Sequence, residues 1–123
     1  MKKILLTAIV SLALSQSAVA GTAGIAGLKL IQGVGIVNTT FFGHFATGVM
    51  QVRVQGGFVI PAGLTCTDTQ YLDTLRSADP DRALFNLLRD AKTQRRNVLL
   101  YITDDTTKAA SPGRCSLVAA EVL

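Results

Sequence analysis

The chain has 123 residues, 49% of them hydrophobic, with a formal net charge of +4, two cysteines, one histidine and no tryptophan. That length excludes a second sizeable domain, and so small a charge excess makes the chain only mildly basic.

The first twenty residues read as a secretory leader. Lys2 and Lys3 are followed by an apolar run from Ile4 to Leu14 and by the small-residue ending Ala18-Val19-Ala20, which is the order signal peptidase requires. The run is too short for the roughly 20 apolar residues of a membrane span and is broken by Ser11, Ser15, Gln16 and Ser17, so a transmembrane anchor is not expected. No cysteine follows it to carry a lipid. Cleavage after Ala20 predicts an exported protein, periplasmic or secreted, and removes two of its cations.

The expected organisation is a leader at 1–20, a flexible N-terminus at 21–27 and a single domain at 28–123. Gly21 to Gly27 offers little but Gly and Ala to pack. Leu28–Ile31 and Val34–Val37 predict one strand bent at Gly33 and Gly35. Asn38-Thr39-Thr40 supplies a turn, and Phe41 to Gly48 is either an extension of the next strand or a loop that packs Phe41, Phe42 and Phe45. In Val49 to Gln55, Met50, Val52 and Val54 alternate with Gln51, Arg53 and Gln55, the pattern of a half-buried strand. Gly56-Gly57 then signals a hairpin into Phe58-Val59-Ile60, which ends at Pro61.

Thr65 to Gln70 reads as a loop, with Tyr71, Leu72 and Leu75 leading into a helix from Asp79 to about Gln94. Asp79 is its expected N-cap and Pro80 its first residue, while Lys92, Arg95 and Arg96 close the last turn and Asn97 offers a left-handed cap. Val98–Ile102 is a core strand, Thr103 to Gly113 a surface loop and Cys115 to Leu123 the last strand. The fold class is therefore α+β, mainly β, in the order β-β-β-α-β-β. Five strands and one helix suit a small OB-like barrel, although the element order alone does not separate it from other α+β topologies.

Cys66 and Cys115 are the only cysteines, and in an oxidising compartment a lone pair is most simply a disulfide. A redox pair would want a C-x-x-C spacing, and a zinc site would want more ligands than the single His44 adds.

The run Phe58-Val59-Ile60-Pro61, a cysteine, the helix Arg82–Ala91, the strand Asn97–Tyr101 and the closing Cys115 resemble a group of small exported bacterial proteins. That group is similar to the pentameric receptor-binding B subunits of pertussis-type and subtilase-type toxins. The resemblance covers roughly Val49 to Leu123 and consists of a pattern of elements and cysteines. It implies an OB fold, a homo-oligomer that forms a five-membered ring, and a glycan or glycolipid partner. It carries no pocket residue over by position.

The residues themselves weigh against catalysis. His44 is the sole imidazole and has no Ser or Cys nucleophile motif beside it, so an enzyme would need it to converge with a carboxylate such as Asp68 or Asp73. Gly33-x-Gly35 lacks the third glycine and following helix of a dinucleotide site, so no cofactor is expected. Asp104-Asp105 reads as a solvated turn before it reads as a calcium loop, and no metal is expected. Arg89, Lys92, Arg95 and Arg96 complement the helix dipole, with an anionic glycolipid as the functional alternative; nucleic acid is not an expected partner of an exported protein. Gln51, Arg53 and Gln55 form the polar row of the half-buried strand and are the candidate ligand-binding residues. The reading is an exported, non-enzymatic binding or assembly module; the alternative is a monomeric periplasmic accessory or structural protein without a small-molecule site.

Overall fold

A computed structural model describes residues 22–38, 47–108 and 111–123. The leader at 1–20 and the segment with Phe41, Phe42, His44 and Phe45 lie outside the described residues. The elements are β1 (Ala23–Lys29), β2 (Ile31–Val37), β3 (Val49–Val54), β4 (Tyr71–Thr74), a 3-10 turn (Arg76–Ala78), α1 (Ala83–Thr93), β5 (Val98–Thr103) and β6 (Cys115–Val122). They build one six-stranded mixed sheet in the order β1-β5-β6-β4-β3-β2, with the helix packed against β2 and β6. Every neighbouring pair is antiparallel except β4 and β6, which run parallel because α1 and β5 intervene between them.

The fold class is α+β and mainly β, but one six-stranded mixed sheet stands in place of the expected closed five-stranded barrel. The reason lies at Leu30. Lys29 pairs with Val98 of β5, whereas Ile31 pairs with Val54 of β3, so the two halves of the first extended segment serve different partners. The Leu30 carbonyl between them accepts the Gln55 N–H at 3.0 Å. Since β1 and β2 are also the two ends of the sheet order, those ends meet at this one residue. The expected flexible stretch at 21–27 is a further difference: Ala23–Gly27 belongs to β1 and pairs with β5. Gly and Ala give little to bury, yet β5 supplies a ladder of hydrogen-bond partners, and pairing outweighs composition.

Two more expectations change. Phe58–Ile60 is not a strand, although the turn before it forms with Gly56 and Gly57 both at positive φ, 73° and 71°. A Cβ on Gly57 would lie 2.9 Å from the Thr69 carbonyl oxygen, so glycine is required there. After one backbone bond from Phe58 N–H to Thr69 O, the chain leaves the sheet and buries the Phe58 ring in the core. The sheet partner of β3 is instead Tyr71–Thr74, which the sequence reading placed on the approach to the helix. Four residues are too few for an alternating pattern to stand out.

The helix begins at Ala83, three residues after the expected Pro80, with Arg82 at the N-cap position, yet the Asp79 carboxylate still caps it by accepting the Leu84 and Phe85 N–H groups at 3.1 and 3.2 Å. At the other end Arg95, not Asn97, takes the left-handed conformation, with φ 53°. Arg95 N–H bonds to Lys92 O and Arg96 N–H to Ala91 O, the paired closure of a Schellman motif. Leu88 and Ala91 face the core, where they join Met50, Val52, Leu72, Val98, Leu100, Ile102 and Leu117. Burying a leucine such as Leu88 stabilises the fold by about 1.5–3 kcal/mol. Cys66 and Cys115 form the expected disulfide, Cα atoms 5.3 Å apart, which ties the long loop after β3 to the start of β6. No helix among the described residues is long and apolar enough to cross a membrane.

Candidate binding site

Alternation along β3 buries Met50, Val52 and Val54 and turns Gln51 and Arg53 to the other face. Register then decides their neighbours. Gln51 stands between Gly35 of β2 and Asp73 of β4, and Arg53 between Gly33 and Tyr71. An open depression of about 270 Å³ lies here, lined by Gly33, Val34, Gly35, Gln51, Arg53 and Tyr71. The glycines make it: a Cβ on Gly35 would meet nothing within 4 Å, and one on Gly33 only the Arg53 Cβ at 3.8 Å. Bare backbone thus forms the floor beside two polar side chains and an aromatic ring.

Arg114, the residue before β6, organises the wall. Its guanidinium carbon sits 4.4 Å from the Tyr71 ring centroid, while that of Arg53 sits 5.6 Å away, both within cation–π range. Arg114 Nη1 donates to Gln51 Oε1 and to Asp73 Oδ1, each at 3.0 Å, and Nε donates to Asp68 Oδ2 at 3.2 Å. Asp68 is fixed in turn, because its Oδ1 accepts the Gln70 and Tyr71 N–H groups. One arginine therefore sets the Gln51 rotamer, backs the Tyr71 ring and holds two carboxylates.

Asp73 is 0% exposed, and its Oδ2 has no hydrogen-bond partner among the described residues. Burial pushes its carboxyl above the usual range; the charge and hydrogen bond of Arg114 offset part of that, and the nearby Asp68 charge adds to the rise. Arg53 and Arg114 against Asp68 and Asp73 leave the face close to neutral. It is suited to hydrogen bonding and ring contact more than to capture of a strong anion.

The row Gln51, Arg53, Gln55 is divided. Gln51 and Arg53 share the depression, but β3 ends at Val54, and Gln55 lines a different cavity of about 340 Å³ with Leu30, Ile31, Gln32, Ala91, Lys92 and Arg95. Tyr71 and Arg114 were not among the expected site residues, and Asp68 and Asp73 entered only as carboxylates that an enzyme would set beside His44. The signal for two of them was the disulfide: Asp68 follows Cys66 by two residues and Arg114 precedes Cys115 by one, so the bridge brings them together.

The other candidates have structural employment. Asp104 accepts the Thr22 N–H through Oδ1 and the Thr65 N–H and hydroxyl through Oδ2, which pins the start of β1. Asp105 accepts from Thr107 N–H, Thr107 Oγ1 and Lys108 Nζ, hydrogen bonds that lower its carboxyl to about 2. No grouping of three or more metal-ligating side chains exists among the described residues. The basic cluster separates too, since Arg89 leans over the Phe85 ring and pairs with Asp90, while Arg96 donates to the Leu123 carbonyl. Comparison with family models, with curated proteins and with solved structures finds no match to this chain.

Proposed function

We propose that this chain is an exported, non-enzymatic binding module that recognises a glycan through the Gln51–Arg53–Tyr71 depression and assembles as a homo-oligomer. The observation that carries the reading is the glycine-floored depression itself, with a guanidinium, a carboxamide and an aromatic wall converging on it. Sugar hydroxyls need donors and acceptors set at fixed positions, and Arg114 fixes Gln51 from behind. The near-neutral charge of the face favours a polyol over a strong anion. Absence of catalysis is part of the proposal, and it is supported by Asp68 and Asp73 both being held by Arg114 rather than poised beside a nucleophile.

Export is supported by the leader pattern at 1–20 and by compatibility of the Cys66–Cys115 bridge with an oxidising compartment. An OB-like topology is part of the same proposal. It is supported by the parallel β4–β6 pair and by the meeting of the two sheet ends at Leu30, which makes β1 and β2 the halves of one bent strand.

The test is a glycan array probed with the oxidised protein and with Arg53→Ala, together with native mass by light scattering. Binding to a defined glycan that Arg53→Ala loses supports the reading. An array on which no glycan is retained, or one on which Arg53→Ala binds like the parent, overturns the assignment of this face. A mass of one protomer removes the oligomer and leaves the monomeric accessory protein as the better description.

A further inference from the structure

The second cavity lies between the sheet junction and the helix end, away from Arg53. Its floor is apolar, from Leu30, Ile31 and Ala91, and its rim carries Lys92 and Arg95 from the helix side and Gln32 and Gln55 from the sheet side. No carboxylate lines it, and neither Lys92 nor Arg95 forms an ion pair among the described residues. The side-chain amides of Gln32 and Gln55 likewise make no hydrogen bond among the described residues. Of the four cations near the helix end, the two that line this cavity are the two without a protein partner among the described residues, Arg89 and Arg96 being engaged elsewhere.

A second observation concerns the backbone. Arg95 occupies the left-handed position of the Schellman closure, with φ 53°, where glycine fits without strain. Two described residues other than glycine hold positive φ, Arg82 and Arg95; Arg82 donates to the Gly48 carbonyl, whereas Arg95 places its guanidinium on the rim of this cavity.

We propose that this cavity binds a phosphate ester. Donors come from two elements, cations from the helix side and carboxamides from the sheet side, and a tetrahedral oxyanion can present oxygens to both at once, whereas a planar carboxylate presents one edge. The apolar floor takes the body that carries the phosphate. A free sugar phosphate and a phospholipid headgroup share this chemistry. The inference stands apart from the glycan reading, because it uses no residue of the Arg53 depression.

The experiment titrates the oxidised protein with inorganic phosphate and glycerol 3-phosphate, following backbone amide shifts, and measures sedimentation with phosphatidylglycerol and phosphatidylcholine vesicles. Shifts confined to Leu30–Gln32, Gln55 and Ala91–Arg96 on adding either soluble phosphate support the site with a soluble source. Sedimentation with the anionic vesicles alone supports it with a headgroup source, provided that Lys92→Ala abolishes it. Arg95→Gly is the decisive variant: it raises the urea midpoint by relieving the left-handed strain and weakens phosphate binding by about tenfold or more through loss of a charge-assisted contact. Arg53→Ala leaves phosphate binding at the parental value, which keeps failure here distinct from failure of the glycan assignment. No shift with either soluble phosphate and no sedimentation, or phosphate binding unchanged in both Arg95→Gly and Lys92→Ala, overturns the proposal.

Discussion

Reduction of the Cys66–Cys115 bridge is the sharpest test of what holds this small sheet together. The two cysteines are 49 residues apart, and closing a loop of that length removes enough chain entropy from the unfolded state to stabilise the fold by about 4 kcal/mol in the chain-entropy model. For a domain whose total stability is on the order of 5–15 kcal/mol, that is a large share. Comparing oxidised with reduced protein keeps both sulfur atoms in place and so isolates the crosslink, whereas a double Cys→Ala variant would also open space at Cys115, which is 0% exposed. With a urea dependence of about 1–3 kcal/mol per M for a small domain, the reduced protein should unfold at a midpoint lower by about 1.3 M or more. The assay is equilibrium urea unfolding with and without reductant, with thiol titration to confirm the redox state. A midpoint that moves by less than about 0.5 M would refute the reasoning, because local contacts would then be holding the loop without the crosslink.

Three further outcomes follow from the polar network. Arg114→Met should destabilise by about 3–5 kcal/mol in urea unfolding, since it strips the cation from a fully buried Asp73, and adding Asp73→Asn should recover most of that loss. Asp73 itself should shape the pH profile. Its carboxyl is raised above 3.8 in the folded state, so over the window from 3.8 up to its folded value the native protein holds a proton that the unfolded chain has lost, and stability falls as pH rises through that window. Asp73→Asn cannot titrate and should lack this decline; parallel urea-midpoint curves for the two proteins would contradict it. Asp79→Ala should cost about 1–2 kcal/mol by orphaning the Leu84 and Phe85 N–H groups, read as a lower thermal midpoint with unchanged strand signals in circular dichroism.

Legibility in the sequence followed the reach of each signal. The alternation in β3, the capping role of Asp79 and the apolar run Val98–Ile102 that became β5 are all local, and each appears in the fold near where it was expected. The β1 stretch was misjudged because its strand character comes from β5, more than seventy residues away in the register Ala23 with Thr103. Composition carries no information about such a partner. Tyr71–Thr74 was misplaced for a related reason: it is short, and its position between β3 and β6 is set by pairing on both sides. At the helix C-terminus, Asn97 was the better residue for a left-handed cap by propensity, yet Arg95 takes the position because the chain must reach Val98 in register with Val122.

The candidate site shows the same division, with a covalent element added. Gln51 and Arg53 were visible because side-chain parity on one strand is a local property. Their working partners arrive from the far end of the chain. Arg114 reaches Gln51, Asp73 and Tyr71 from beside Cys115, and Asp68 reaches Arg114 from beside Cys66, so the wall of the depression is assembled by the disulfide and by the Thr67 and Asp68 N–H groups that bond to the Gly113 carbonyl next to it. If the proposed site binds its ligand through Gln51, stability and recognition are coupled through that bridge. Reduction frees the segments bearing Asp68 and Arg114 together, and with them the rotamer of Gln51. A ligand that needs Gln51 fixed should therefore bind the oxidised protein more tightly than the reduced one, even where both remain folded, whereas a phosphate bound between Lys92 and Gln32 should register the change less, since neither cysteine and neither Asp68 nor Arg114 lines that cavity.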